Sequence, residues 1–370
     1  MVGIVVFAVA ALVLAIRGTL AKQGIGFGFE YLWRPSDINL SEGLGLKLDG
    51  WKTWFEPLDS TSSNAEMLLA GLFNSLKVAV IAIVASTVLG VGIGLGRLST
   101  NWLIRKLCFT VVEFVRNTPL LIQLVFWYFA VVLQFPPITA ASSAYGSLLV
   151  SQSGVFMPSL AISDAAGAGA GWLLALAAVA LAACLVRRAG RTLRLVLLLI
   201  AVGAAGASII LGFPLELEFP VASRFGASGG MSMTPEMSAL LLAITINSAG
   251  YTAEIVRGAI ETLSKGQWEA SAALGLSRRN TLGDIVLPQV FRVVLPSLGN
   301  RYISLTKDTS LGIAIGYPDL FNVSGTVSNQ TGRNLEGVVI VMVAYLLLSW
   351  IISGTINVVN VRLNGRGQRA

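Results

Sequence analysis

Histidine is absent from this chain of 370 residues, and only 12% of its residues are charged. The first absence removes the commonest metal ligand and the usual neutral-pH proton relay, and with them the nucleophile–base triads that need an imidazole. The second lies far below the roughly 25% of soluble domains. Cysteine is scarce too: Cys108 and Cys184 fall in or beside apolar stretches, so no disulfide framework is implied. The phosphate cradle G-x-x-x-x-G-K-[ST] occurs nowhere, so the chain does not bind ATP by that route. What remains is strongly apolar, with 55% hydrophobic residues and a mean hydropathy of +0.76. The reading is an all-α integral membrane protein.

Stretches of near-membrane length lie at 2–16, 71–96, 107–133, 171–186, 193–213, 236–258, 297–317 and 337–361, which predicts about eight transmembrane helices. The first is short, has no basic segment before it and shows no small-residue cleavage site; it reads as a span whose cytoplasmic start is missing. The seventh carries Lys307 and Asp308, which points to a helix packed inside a bundle rather than facing lipid. Residues 17–70, with Trp33, Trp51 and Trp54, read as an outer, partly interfacial segment. The Gly-, Ser- and Pro-rich stretches 134–170 and 214–235 read as outer loops. The apolar pair 171–213, joined by Arg187, Arg188 and Arg191, reads as an inserted helical hairpin, a lipid-facing scaffold. The domain division is therefore 1–70, a first span and outer segment, followed by 71–370, a transmembrane domain with a cytoplasmic loop at 259–296.

The net charge of +7 invites a nucleic-acid reading, but the placement of the basic residues explains it differently. With an inside N-terminus the cytoplasmic segments collect Arg97, Arg105 and Lys106, then Arg187, Arg188, Arg191 and Arg194. Residues 257–307 add Arg257, Lys265, Arg278, Arg279, Arg292, Arg301 and Lys307, and the tail adds Arg362, Arg366 and Arg369. The positive-inside rule puts both termini and the 259–296 loop in the cytoplasm, and nucleic acid is set aside.

That loop is informative in its own right. Ser264 and Gln267 have capping-box spacing, so a short helix can start there. Ala270, Ala272 and Ala273 favour helix and leave a thin surface that a partner can approach. Gly275 suits the left-handed position that ends a helix, Ser277 can cap a second one, and Pro288 should stop or kink it. On this physics alone, an ordinary helical hairpin and a docking element are both open.

Elsewhere, Gln123, Asn247 and Glu254 are polar groups within or near the ends of apolar spans. They are candidate pathway residues, with helix–helix hydrogen bonding as the competing explanation. Lys307 and Asp308 join them; being adjacent, they point to different faces of a helix and need not pair. Gly90, Gly92, Gly94 and Gly96 form overlapping small-x-x-x-small patterns that signal close helix packing.

Glu269-Ala270-Ser271, then Gly275, then Ile285, Leu287 and Pro288 follow a spacing that resembles the EAA loop of ATP-binding-cassette importer permeases. Val115-Arg116-Asn117-Thr118-Pro119-Leu120-Leu121-Ile122-Gln123, Tyr251-Thr252-Ala253-Glu254-Ile255-Val256-Arg257-Gly258, Leu287-Pro288-Gln289 and Lys307-Asp308-Thr309-Ser310-Leu311 strengthen it. Together they resemble permeases of the polar-amino-acid uptake family, and the extra spans resemble its general L-amino-acid subgroup. Ser271 departs from the signature's second alanine, a small-for-small change.

The resemblance implies a five-helix permease core whose loop residues Glu269, Ala270, Ser271, Gly275, Ile285, Leu287 and Pro288 dock an ATPase. It implies a bacterial inner-membrane protein that is not an enzyme and binds no cofactor, with ATP and Mg held by a cytoplasmic ATPase dimer. It further implies a second permease subunit, making a heterodimer, and a periplasmic amino-acid-binding protein. A stand-alone secondary transporter is the competing reading; the loop spacing and the lack of an internal inverted repeat argue against it. A membrane-embedded enzyme would need a catalytic set that the sequence does not contain.

Overall fold

Ser63 starts the first long helix. Its hydroxyl accepts from the Glu66 amide while the Glu66 carboxylate takes the Ser63 amide at 2.7 Å, a complete capping box. In chain order the α-helices are α1 (Asn64–Arg97), α2 (Trp102–Asn117), α3 (Leu120–Phe126), α4 (Ala170–Cys184), α5 (Arg191–Ile210), α6 (Pro235–Glu261), α7 (Lys265–Ala273), α8 (Leu287–Asp308), α9 (Leu320–Thr331) and α10 (Asn334–Asn364). This computed structural model describes residues 27–45, 56–58, 61–140, 147–162, 169–184, 191–212, 215–223, 226–277 and 280–364. The expected first span, Trp51, Trp54, Arg187, Arg188, Arg278, Arg279, Arg366 and Arg369 lie outside the described residues.

Four described helices are long and apolar enough to cross a bilayer: Asn64–Arg97, Leu193–Ile210, Pro235–Glu261 and Asn334–Val361. A bent pair, Trp102–Asn117 with Leu120–Gln134, passes the same test only when its two helices are taken together as one broken span. The expected count of about eight is not reached among the described residues. α4 is 15 residues long, and α8 carries Arg292, Arg301, Lys307 and Asp308 before passing into a 3-10 turn at Thr309–Ile315. The single span expected at 107–133 is corrected: the chain turns by 104° at Thr118–Pro119. Proline disfavours helix in the residue before it and cannot donate to the preceding turn, so α2 ends there and Pro119 caps α3.

Residue contacts divide the chain into two units: 1–130 with 239–370, and 131–238. In the first, Gly90 and Gly94 of α1 let α6 approach closely. A Cβ on Gly90 would meet Thr252 Cβ at 2.5 Å, and one on Gly94 would meet the Ala253 carbonyl at 2.8 Å. Gly96 is covered by Cys108 instead, while a Cβ on Gly92 would meet only open space. A second core gathers Tyr31 and Ile38 of the 27–45 segment with Met67, Leu68, Leu320, Val323, Val327 and Val341.

The second unit holds the α4–α5 hairpin and short antiparallel strands where the sequence reads as loops. Leu149–Ser151, Gly154–Met157 and Met231–Met233 form one sheet, and Ser159–Ile162 pairs with Leu215–Glu218. Runs of two to four residues between glycines are too short to carry a readable alternation.

Candidate functional site: a coupling element and a polar cavity

The 259–296 loop folds as a helix, a turn and a second helical arm. Ser264 is the N-cap of α7, but its side chain makes no capping bond; the Gln267 amide reaches its backbone carbonyl instead, so the expected capping box does not form. The end of α7 matches expectation. Gly275 has φ +69°, its amide donates to the Ala272 carbonyl, and the Leu276 amide donates to the Ser271 carbonyl, both at 3.0 Å. That paired closure needs the left-handed residue that glycine supplies. Glu269 and Ala270 are exposed, whereas Ser271 turns inward and its hydroxyl donates to the Gln267 carbonyl at 2.7 Å. The Ser277 hydroxyl accepts from the Asn280 amide at 3.2 Å and opens the second arm.

Pro288 does not stop that arm. It occupies the first turn of α8, directly after a π-helical stretch at Thr281–Val286. A widened turn removes the clash of the proline ring with the carbonyl four residues back, and the missing amide then costs no hydrogen bond. The arm is held to α6: Val286, Val290, Val294 and Leu298 pack with Val256 and Ala259, and Trp268 of α7 lies against the same cluster. Ile285 is half-buried, and Leu287 and Pro288 are exposed.

Farther along α8 lies a polar cavity of about 320 Å³, lined by Arg116, Asn117, Pro119, Asn247, Tyr251, Arg301 and Asp308 among others. Arg301 organises it. Its guanidinium donates to Asn247 Oδ1 at 2.9 Å and Ser248 Oγ at 2.7 Å, lies 3.5 Å from Asp308 Oδ2, and stacks over the Tyr251 ring at 4.5 Å. The sequence reading missed Arg301, grouping it with cytoplasmic positive charge. The available signal was the seven-residue step from Arg301 to Asp308, two turns that place both on one helix face. Asn247, Ser248 and Tyr251 share a face of α6 by the same geometry.

The five candidate pathway residues separate. Asn247 and Asp308 line the cavity. Lys307 is exposed on a different face of α8 from Asp308, as adjacency required. Glu254 is not a lining residue but a charge junction: Arg97, Arg257 (2.6 Å) and Arg116 (3.7 Å) all converge on its carboxylate. Gln123 is a brace. It is buried, and its amide group donates to the Val115 carbonyl at 2.8 Å and the Thr118 carbonyl at 2.9 Å, satisfying acceptors freed where α2 breaks. Gln123→Leu should therefore lower stability by about 1–3 kcal/mol, read as a falling unfolding temperature of the detergent-solubilised protein. Loss of transport with unchanged stability would instead make Gln123 a pathway residue.

Comparison with known proteins identifies the family. Residues 86–366 match the family described as binding-protein-dependent transport system inner membrane component. The chain is 35% identical over 355 residues to the putative amino-acid ABC transporter permease protein YhdX of Escherichia coli K12, covering 93% of this chain and 87% of that one. It is 38% identical to the general L-amino acid transport system permease protein AapQ of Rhizobium johnstonii, covering 93% and 85% respectively. Among solved structures, a chain of an amino acid ABC transporter with histidines matches with a TM-score of 0.50 at 20% identity, over 80% of this chain and 94% of that chain. At that identity the match establishes the fold alone.

Proposed function

Because the chain belongs to the binding-protein-dependent transport system inner membrane component family, we propose that it is the permease that carries L-amino acids through an ATP-binding-cassette importer, coupled through α7. The substrate class follows from YhdX and AapQ, to which the chain is similar along most of both lengths. The chain is then a multi-pass inner-membrane protein that works with an ATPase and a binding protein.

One observation carries the coupling: the arm that begins at Ser277 continues through the π-turn into α8, and α8 supplies Arg301 and Asp308 to the cavity. A displacement of α7 by an ATPase seated on Glu269 and Ala270 is thus delivered along one rod to the cavity wall. The cavity suits a zwitterion: guanidinium groups attract the carboxylate and Asp308 attracts the ammonium. Both termini and α7 lie in the cytoplasm, as the basic residues require. ATP and Mg sit on the ATPase subunits. Exposed Asn300, Ser304 and Lys307 on α8 form a polar stripe that a second, similar permease or the shared pathway would cover.

Mild-detergent purification from native membranes, followed by mass spectrometry, tests this reading. An ATPase and a second permease should stay bound; an active preparation that repeatedly lacks an ATPase defeats it. In the same preparation Arg301→Gln should keep the ATPase while uptake at low substrate falls about ten-fold or more, the loss expected for one charge-assisted hydrogen bond.

A further inference from the structure

We propose that Arg116 is the receptor for the substrate's carboxylate, and that Glu254 is the partner it leaves when a substrate arrives. The proposal rests on the amino-acid-carrying function given above and names the group in the cavity that reads the carboxylate.

Arg116 stands on the last turn of α2, between the cavity and the charge junction. It lines the cavity, and its guanidinium lies 3.7 Å from Glu254 Oε2 and 5.7 Å from the centre of the Tyr251 ring. Gly250 of α6 admits its stem: a Cβ there would stand 3.0 Å from Val115 and 3.8 Å from Arg116 Cγ. The head is the part left to move. Among the described residues no other carboxylate lies within ion-pair distance of it, and its Nε is buried without a hydrogen bond.

Glu254 is a crowded partner. Its Oε2 already receives Arg97 and, at 3.3 Å, Arg257 Nε, while Oε1 receives Arg257 at 2.6 Å. Arg257 has Glu261 as a second partner, and Arg301 has Asp308. Four guanidinium groups thus meet three carboxylates, and the unmatched charge falls on Arg116, whose ion pair is the longest of the set. A half-buried cation without a full partner is costly, and an anion entering the cavity removes that cost.

The two cavity arginines then divide the work. Asn247, Ser248 and Asp308 hold Arg301 in place as a fixed source of positive potential. Arg116 can turn, with the Tyr251 ring beside it as a pivot, and offer a planar edge to both oxygens of an α-carboxylate. Turning breaks the ion pair between α2 and α6, so an occupied cavity is felt at the helix break.

The competing role for Arg116 is a plain tie between α2 and α6, and the two roles differ in sign. The test is equilibrium binding of a radiolabelled mixture of L-amino acids to the purified importer, without its binding protein, with the corresponding carboxamides as competitors. The unaltered complex should bind amino acids, and the carboxamides should compete about ten-fold worse or more. Arg116→Gln should weaken amino-acid binding by a similar factor and bring acids and amides level, and Arg116→Lys should recover part of the difference. Glu254→Asp keeps a charge for Arg97 and Arg257 but withdraws it from Arg116, so it should tighten binding, and only when Arg116 is present. A tie predicts weaker binding from Glu254→Asp as well. That result overturns the proposal, as does equal competition by acids and amides, or no binding, in the unaltered complex. The amide comparison needs no variant, so a misfolded Arg116→Gln does not rescue the idea. None of these outcomes touches the importer reading, which co-purification of the ATPase decides.

Discussion

Glu269→Arg and Gly275→Pro should each reduce ATP-driven amino-acid uptake and stimulated ATP hydrolysis to background while the protein still inserts into the membrane. The two act by different physics. Glu269 is exposed on α7, makes no contact that the fold depends on, and its reversal changes only what a docking partner meets. Gly275 holds φ +69° and donates its amide to the Ala272 carbonyl. Proline can do neither, since its ring holds φ near −65° and it has no N–H. The α7–arm angle must then change while the core of α6 and α8 is untouched. Uptake assays with ATPase activity and membrane content measured in parallel decide it. Normal transport by Glu269→Arg would remove α7 from the docking surface whatever happens to the proline variant.

A second large effect is expected from Gly90→Leu. The side chain must enter a contact where even a Cβ would stand 2.5 Å from Thr252 Cβ and 2.9 Å from the Ala249 carbonyl. Backbone on one side and a buried threonine on the other leave no flexible group to yield, so α1 and α6 must separate. The expected cost is about 1–3 kcal/mol or more, which in the membrane appears as lost folded protein. Gly92→Leu is the internal control: it changes helix propensity by the same amount two residues away, but its Cβ meets nothing within 4 Å. Fluorescence-detected size-exclusion of both variants should show a sharp fall in monodisperse importer for position 90 and little change for 92. Equal behaviour would mean that the α1–α6 contact is not the packing seam seen here.

These two contrasts also mark what could be read without coordinates. The loop was legible because its signals are local: an alanine-rich helix, a glycine at its end and a serine cap reach no farther than four residues, and local backbone preferences decide them. Of the two outcomes expected at Pro288, a stop or a kink, the stop does not occur, and for the complementary reason. Proline normally ends a helix, but the π-turn at Thr281–Val286 accommodates it, and that turn is supported by the packing of Val286 and Val290 on α6. The broken 107–133 span carried its own warning in Pro119, which hydropathy averaging hides.

The distant pairings were not legible at all. Nothing near Gln123 in the chain says that its amide group closes two carbonyls at a helix break. Glu254 is an embedded acid by sequence, and its neutralisation by arginines from α1 and α2 depends on three helix ends meeting.

By itself, then, the amino-acid sequence determined the membrane setting, the family and the helix–glycine–helix turn of the 259–296 loop, because hydropathy, charge placement and capping act over one or two helical turns. Tertiary structure alone decided that Arg301 and Asp308 share a cavity with Asn247, that Gln123 closes two carbonyls at a helix break while Glu254 gathers three arginines, and that α2 turns aside at Pro119. Those outcomes depend on which helix faces are pressed together, and the glycines of α1 set that by how closely they let α6 approach.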